Sequence, residues 1–195
     1  HAARVKNNLQ LKRDSDLSKS LSKLITKKIL RNEIIKSFAL PKKIHGTIFS
    51  KSKKGMKYGQ HIDNPYMSSG RADLSFTIFL SNKKDYKGGC LSIESFNSEE
   101  KFKLNAGEII IYPSTYLHSV EKVIDGERLV FIGWIESYVK SIEEREYLFD
   151  LDAAARSLLA KYGRSEEVDL IYKSYSNFLR RLGNWISDLT CIILY

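Results

Sequence analysis

Apolar residues fall at Leu17, Leu21, Leu24, Ile25, Ile29, Ile34, Ile35 and Phe38, a helical period with lysines on the remaining face. Ser15-Asp16 stands where a cap is needed and Pro41 closes the run, so the spacing predicts one helix. Ile44 to Phe49 then reads as a short strand, and Lys51-Ser52-Lys53-Lys54-Gly55 as a turn. From Tyr58 the period shortens. A strand carries His61; Asp73 to Leu80, Cys90 to Ser95, Lys101 to Leu104 and Glu108 to Tyr112 follow, separated by the loop 83–89 and the tight turn Asn105-Ala106-Gly107. His118 to Val123 and Arg128 to Glu136 read as a hairpin around Asp125-Gly126, which places Arg128 on the strand beside His118. The helical period returns over Ile142 to Tyr162 and Glu166 to Trp185, divided at Gly163, and the apolar tail Leu189 to Tyr195 closes the chain.

Short strands at close spacing between helical ends predict a mainly β protein with flanking helices, an α+β chain whose core is an antiparallel sandwich or barrel; the jelly roll belongs to that class. The expected organisation is a support region over 1–57, a β core over 58–140 and a helical region over 141–195. A chain of 195 residues with 43% hydrophobic content suffices for one sizeable core.

Charge is unevenly placed. Residues 1–57 hold 16 Lys/Arg against 3 Asp/Glu, whereas residues 58–195 hold 16 against 20. Basic asymmetry can mark a nucleic-acid contact. Here the cations are interleaved with apolar residues and no aromatic platform accompanies them, so no specific nucleic-acid partner is expected. No apolar run is long enough to span a bilayer and no leader pattern opens the chain, so a soluble cytoplasmic protein without a membrane partner is expected. Cys90 and Cys191 are isolated, which is neither a disulfide framework nor a zinc-ribbon spacing.

Chemistry concentrates at Tyr58-Gly59-Gln60-His61-Ile62-Asp63-Asn64-Pro65. In an extended strand, residues two apart share a face, so His61 and Asp63 present an imidazole and a carboxylate side by side. A polar strand end would look the same. His118, 55 residues beyond Asp63, offers a third ligand, and two His with one carboxylate form the facial triad of non-haem Fe(II) oxygenases. Gln60 and Tyr58 are candidates to orient the imidazoles. His45, in a basic strand, reads as a surface or internally satisfied residue, and His1 is terminal.

The ordered set His61-Ile62-Asp63, Arg71-Ala72-Asp73-Leu74-Ser75, Asp85-Tyr86-Lys87-Gly88-Gly89, Leu104-Asn105-Ala106-Gly107, Tyr112-Pro113-Ser114, Leu117-His118 and Arg128 resembles the PKHD-type hydroxylases. These are Fe(II)- and 2-oxoglutarate-dependent dioxygenases of the prolyl 4-hydroxylase superfamily. The resemblance runs from Val5-Lys6-Asn7-Asn8-Leu9-Gln10 to Phe178-Leu179-Arg180-Arg181, and the apolar end beyond Arg181 departs from it. It implies a double-stranded β-helix, a cupin-like jelly roll, with Fe(2+) on His61, Asp63 and His118. It also implies 2-oxoglutarate bound by Arg128, O2 as the other co-substrate, and L-ascorbate restoring ferrous iron.

A dicarboxylate needs a cation at its far end, and the planar arginine fork suits it. Val130, Ile132 and Trp134 share the face of Arg128, which would emerge from an apolar floor, with Trp134 read as core. By analogy Phe79 and Leu91 line the pocket, and Arg71 contacts either the substrate or a loop carboxylate. The expected activity is hydroxylation of a small-molecule or peptide substrate, with a hint of iron homeostasis from the resemblance. Two other readings share the triad: a non-enzymatic cupin-like metal-sensing module with a basic interaction surface, and a zinc hydrolase, which would need an added general base. Neither requires a buried cation at Arg128.

Overall fold

The structure, a computed structural model, describes residues 7–95 and 97–184. Its first half runs β1 (Leu9–Gln10), α1 (Asp16–Arg31), α2 (Glu33–Ala39), β2 (Pro41–Lys53), β3 (Tyr58–His61), β4 (Tyr66–Met67), β5 (Gly70–Arg71) and β6 (Leu74–Phe79). Then follow β7 (Tyr86–Gly88), β8 (Leu91–Glu94), β9 (Glu99–Phe102), β10 (Ile109–Pro113), β11 (Leu117–Val120), β12 (Val123–Ser137), α3 (Ile142–Tyr162) and α4 (Glu166–Leu182). These pack as two compact units, one formed by the described residues of 1–31 and 43–136, the other by those of 32–42 and 137–195.

The first unit is built on two antiparallel sheets. One has the order β1-β2-β12-β6-β10, with β7 also on β12; the other is β3-β11-β8-β9. β6 lies between β12 and β10, and all six of its residues are buried. Leu91 and Ile93 of β8 pack with Tyr112 of β10, so apolar side chains of both sheets share one core. This is the sandwich that short alternating strands predict.

In the second unit α3 and α4 are capped by Ser141 and Ser165, whose hydroxyls accept from the amides of Glu144 and Val168. Ser37 donates to Asp152 at 2.5 Å, and Phe38 meets Phe149 edge-on at 5.8 Å, which ties α2 to α3. No described helix is long and apolar enough to cross a membrane.

Five local expectations change, two of them because β2 runs on to Lys53, into the stretch read as a turn, and because β7 lies inside the expected loop 83–89. The helix expected from Leu17 to Phe38 is two, because the Asn32 side chain accepts from the Ile35 amide and restarts the turn as an N-cap. The hairpin at Asp125-Gly126 is absent: β12 runs through these residues, which pair with β7 just past a register shift between Val123 and Asp125, and Gly126 takes a positive φ. The strand through His61 stops there, and Asp63 lies just past it. α4 matches its expected start, whereas Trp185 and the tail 189–195 lie outside the described residues.

Candidate metal centre

His61 and His118 are direct partners in the β3–β11 ladder. The register shifts between the His118 and Val120 positions, so Tyr58 as well as His61 lines the cleft between the sheets. Asp63 joins them, and one ligand atom from each of His61, Asp63 and His118 lies within 4.8 Å of the others. The sequence separates His118 from the other two by more than fifty residues; the β3–β11 pairing brings it to His61.

Each imidazole is held from behind. His61 Nδ1 lies 2.8 Å from the Gly59 carbonyl and His118 Nδ1 3.0 Å from that of Tyr116. A carbonyl oxygen only accepts, so both Nδ1 atoms carry a hydrogen, which leaves Nε2 as the nitrogen of each ring that can ligate a metal. His118 Nε2 is 3.6 Å from Asp63 Oδ2. The Tyr58 ring stacks on His61 with centroids 3.7 Å apart, and the Tyr112 ring meets His118 at 5.2 Å. Burial, and then the charge of Asp63, push the hydroxyl pKa values of both tyrosines upward. Two imidazoles and one carboxylate, with their ligand atoms gathered this closely, are a donor set that fits Fe(II).

Arg128 lies on β12, in the opposite sheet from His118 rather than on a neighbouring strand. The cleft is lined along β12 by Trp134, Ile132, Val130 and Arg128, with Ser75 and Thr77 of β6 and Tyr112 of β10 beside them. Its side chain is 3% exposed, with the guanidinium carbon 5.5 Å from the Phe79 ring centroid. Burial lowers its pKa, opposed by Tyr86 and Tyr112. Among the described residues its Nε has no hydrogen-bond partner, nor has the buried Tyr86 hydroxyl. A buried guanidinium whose Nε is unpaired, close to the Tyr86 phenol, fits the carboxylate end of a dicarboxylic acid. Gly89, at φ +65°, leaves room for this: a Cβ there would stand 3.3 Å from both Arg128 Cδ and the Tyr86 ring.

The remaining expected residues divide. Leu91 lines the cleft, and Phe79 lies beneath the guanidinium. Arg71 is outside the cleft lining, bonded through Nε and Nη2 to Asp73 at 2.6 and 2.7 Å, with Glu136 3.7 Å from Nη1. His45 is buried, between the Ser69 hydroxyl and the Arg71 carbonyl, both at 2.9 Å. Gln60 donates outward to Glu94, so of the two orienting candidates Tyr58 is the one on the imidazole. Trp134, read as core, lines the cleft, and its buried Nε1 has no partner among the described residues.

Ser75, Ser114 and Tyr86 had no assigned role in the sequence. For Ser75 a signal was present: with Thr77 it places polar groups at the inward positions of the apolar strand Leu74–Phe79.

Residues 47–136 match the 2OG-Fe(II) oxygenase superfamily, and residues 143–184 match the PKHD-type hydroxylase C-terminal domain. A PKHD-type hydroxylase of Prochlorococcus marinus strain MIT 9215 is 73% identical over 183 residues, 94% of this chain and 83% of that protein. The chain belongs to the PKHD-type hydroxylases. A more distant PKHD-type hydroxylase, from strain MIT 9211, is 58% identical over 184 residues, again 94% of this chain and 83% of that one. The crystal structure of a Pseudomonas putida prolyl-4-hydroxylase is similar in fold, with TM-score 0.51 at 16% identity over 69% of this chain and 74% of that one. As a 2OG-Fe(II) oxygenase this PKHD-type hydroxylase depends on Fe(2+), 2-oxoglutarate and O2, and its core is the jelly roll.

Proposed function

We propose that His61, Asp63 and His118 hold a ferrous ion, that Arg128 clamps the remote carboxylate of 2-oxoglutarate, and that the chain hydroxylates a C–H bond of a small-molecule or peptide substrate. The observation that carries this reading is Arg128: a buried cation, with no carboxylate partner among the described residues, in the same cleft as the triad. The chemistry that the bound metal and co-substrate supply is oxidation of a C–H bond by O2, coupled to conversion of 2-oxoglutarate to succinate and CO2.

The protein's part is positioning. The Gly59 and Tyr116 carbonyls keep the Nε2 lone pairs of His61 and His118 directed at the metal position. Three protein ligands would leave coordination positions free for co-substrate and O2 on a bound metal. Val130, Ile132 and Leu91 give the cleft apolar walls, and such low-dielectric surroundings would strengthen the contact of Arg128 with a bound carboxylate. L-ascorbate belongs to the same proposal as the reductant that returns iron to the ferrous state, supported by the family resemblance.

The test is 2-oxoglutarate turnover by anaerobically iron-loaded protein, with metal titrations of His61→Ala, Asp63→Ala and His118→Ala. Each substitution is expected to abolish tight metal binding, because two ligands compete poorly with water. Parental affinity in any two of them would remove the assignment.

A further inference from the structure

Behind the triad lies a chain of hydroxyls. Ser75 Oγ donates to Asp63 Oδ2 at 2.6 Å, and the hydroxyl oxygens of Ser75 and Ser114 are 2.7 Å apart. An ionised carboxylate only accepts, so the single hydroxyl hydrogen of Ser75 goes to Asp63 and that of Ser114 goes to Ser75. Both serines are 3% exposed, which keeps bulk water from substituting for either bond.

Asp63 needs such a contact. β3 ends at His61, so no strand ladder holds Asp63, and the terminal torsion of an aspartate is broad and roughly two-fold. Among the described residues Ser75 is the hydrogen-bond donor to its carboxylate. The relay also joins separate parts of the site. Ser75 sits in the central strand β6, while Ser114 opens the turn from β10 to β11, which carries His118. The Ser114 amide donates to the Asp73 carbonyl at 3.1 Å, which anchors that turn beside β6.

We propose that Ser75, backed by Ser114, is a positioning residue that sets the carboxylate plane of Asp63 before any metal arrives. The inference rests on the reading of His61, Asp63 and His118 as metal ligands. It assigns to β6 a part in the centre that the ligand set alone does not include. A carboxylate turned in advance binds metal without losing rotational freedom at that moment, and partners of this kind typically contribute ten- to a hundredfold in affinity.

The experiment uses the full chain and Co(II) as the probe, read by competition with a chromophoric chelator and by the visible absorption of the bound ion. Ser75→Ala is expected to weaken Co(II) binding about ten- to a hundredfold and to change the absorption bands, which report coordination number. Ser75→Thr, which keeps the hydroxyl, is expected to recover both. Ser114→Ala, which leaves Ser75 in place with an unsteadied hydroxyl, should show a smaller loss in the same direction. A folded Ser75→Ala that binds Co(II) as tightly as the parent, with an unchanged spectrum, overturns the proposal. Should Ser75→Ala not fold, parental affinity and spectrum in Ser114→Ala overturn it instead. His61→Ala, measured alongside, separates the two ideas: if it too keeps parental affinity, the metal assignment has failed, whereas its loss with an unaffected Ser75→Ala sinks the relay alone.

Discussion

His61 and His118 face each other across the β3–β11 ladder with ring centroids 4.2 Å apart, so two candidate ligands are placed by strand register. A register slip of one residue would turn His118 outward and put Leu117 or Ser119 in its place. Because the site is assembled by folding, metal should stabilise the folded chain. Fe(II) or Co(II) at a hundred times its Kd is expected to add about 2.7 kcal/mol to unfolding, read as a rise in urea midpoint under anaerobic conditions. The rise should vanish in His118→Ala.

Arg128 is expected to govern co-substrate affinity without touching the metal. Arg128→Lys keeps the charge but loses the planar fork, and Arg128→Ala loses both. A charge-assisted hydrogen bond contributes roughly 1.5–3 kcal/mol, so the alanine variant should need about ten- to a hundredfold more 2-oxoglutarate. Titration of 2-oxoglutarate into anaerobic Fe(II) protein, followed by the metal-to-ligand absorption band, should rank parent, lysine and alanine in that order. Coinciding curves would make Arg128 a structural cation.

Arg71 should act on stability instead. Its guanidinium lies between Asp73 and Glu136, and all three side chains are at most 15% exposed. The hydrogen bond to Asp73, then the charges of Asp73 and Glu136, raise its pKa despite burial. Arg71→Ala leaves two largely enclosed carboxylates without this counter-charge and should cost roughly 3 kcal/mol. Chemical denaturation measures that loss. The 2-oxoglutarate affinity of the folded variant should stay at the parental value, and a large change there would return Arg71 to the cleft.

Alkaline pH should weaken the fold through the buried tyrosines. Tyr112 is raised by burial and then by Asp63, and burial is also the first cause of the raised Tyr58 and Tyr86 values. Above about pH 10 the unfolded chain releases its tyrosine protons while the folded chain keeps them. The unfolded state then binds fewer protons, so stability falls as pH rises. Urea midpoints at about pH 8 and about pH 11 should show the drop, and Tyr112→Phe should make it shallower. An equal drop in Tyr112→Phe would exclude Tyr112 as a contributor.

What the sequence by itself determined is local. The period of apolar residues and the Ser141 and Ser165 caps account for α3 and for the start of α4, because helix bonds and cap bonds reach only three or four residues along the chain. His61 and Asp63 share the cleft for a similarly local reason, alternation past the outward Ile62. Partnership between distant strands has no such local rule. Only the tertiary structure decided that β11 and β12 belong to different sheets, which moved Arg128 across the cleft from His118. It also decided that β7 would take up Asp125 and Gly126, residues that in isolation favour a hairpin turn. Arg71 received Glu136, 65 residues away, for the same reason, and Asp63 received Ser75 from a different strand. Ladder hydrogen bonds and buried polar contacts join residues tens of positions apart, and which of them meet depends on how the whole sheet closes over its core.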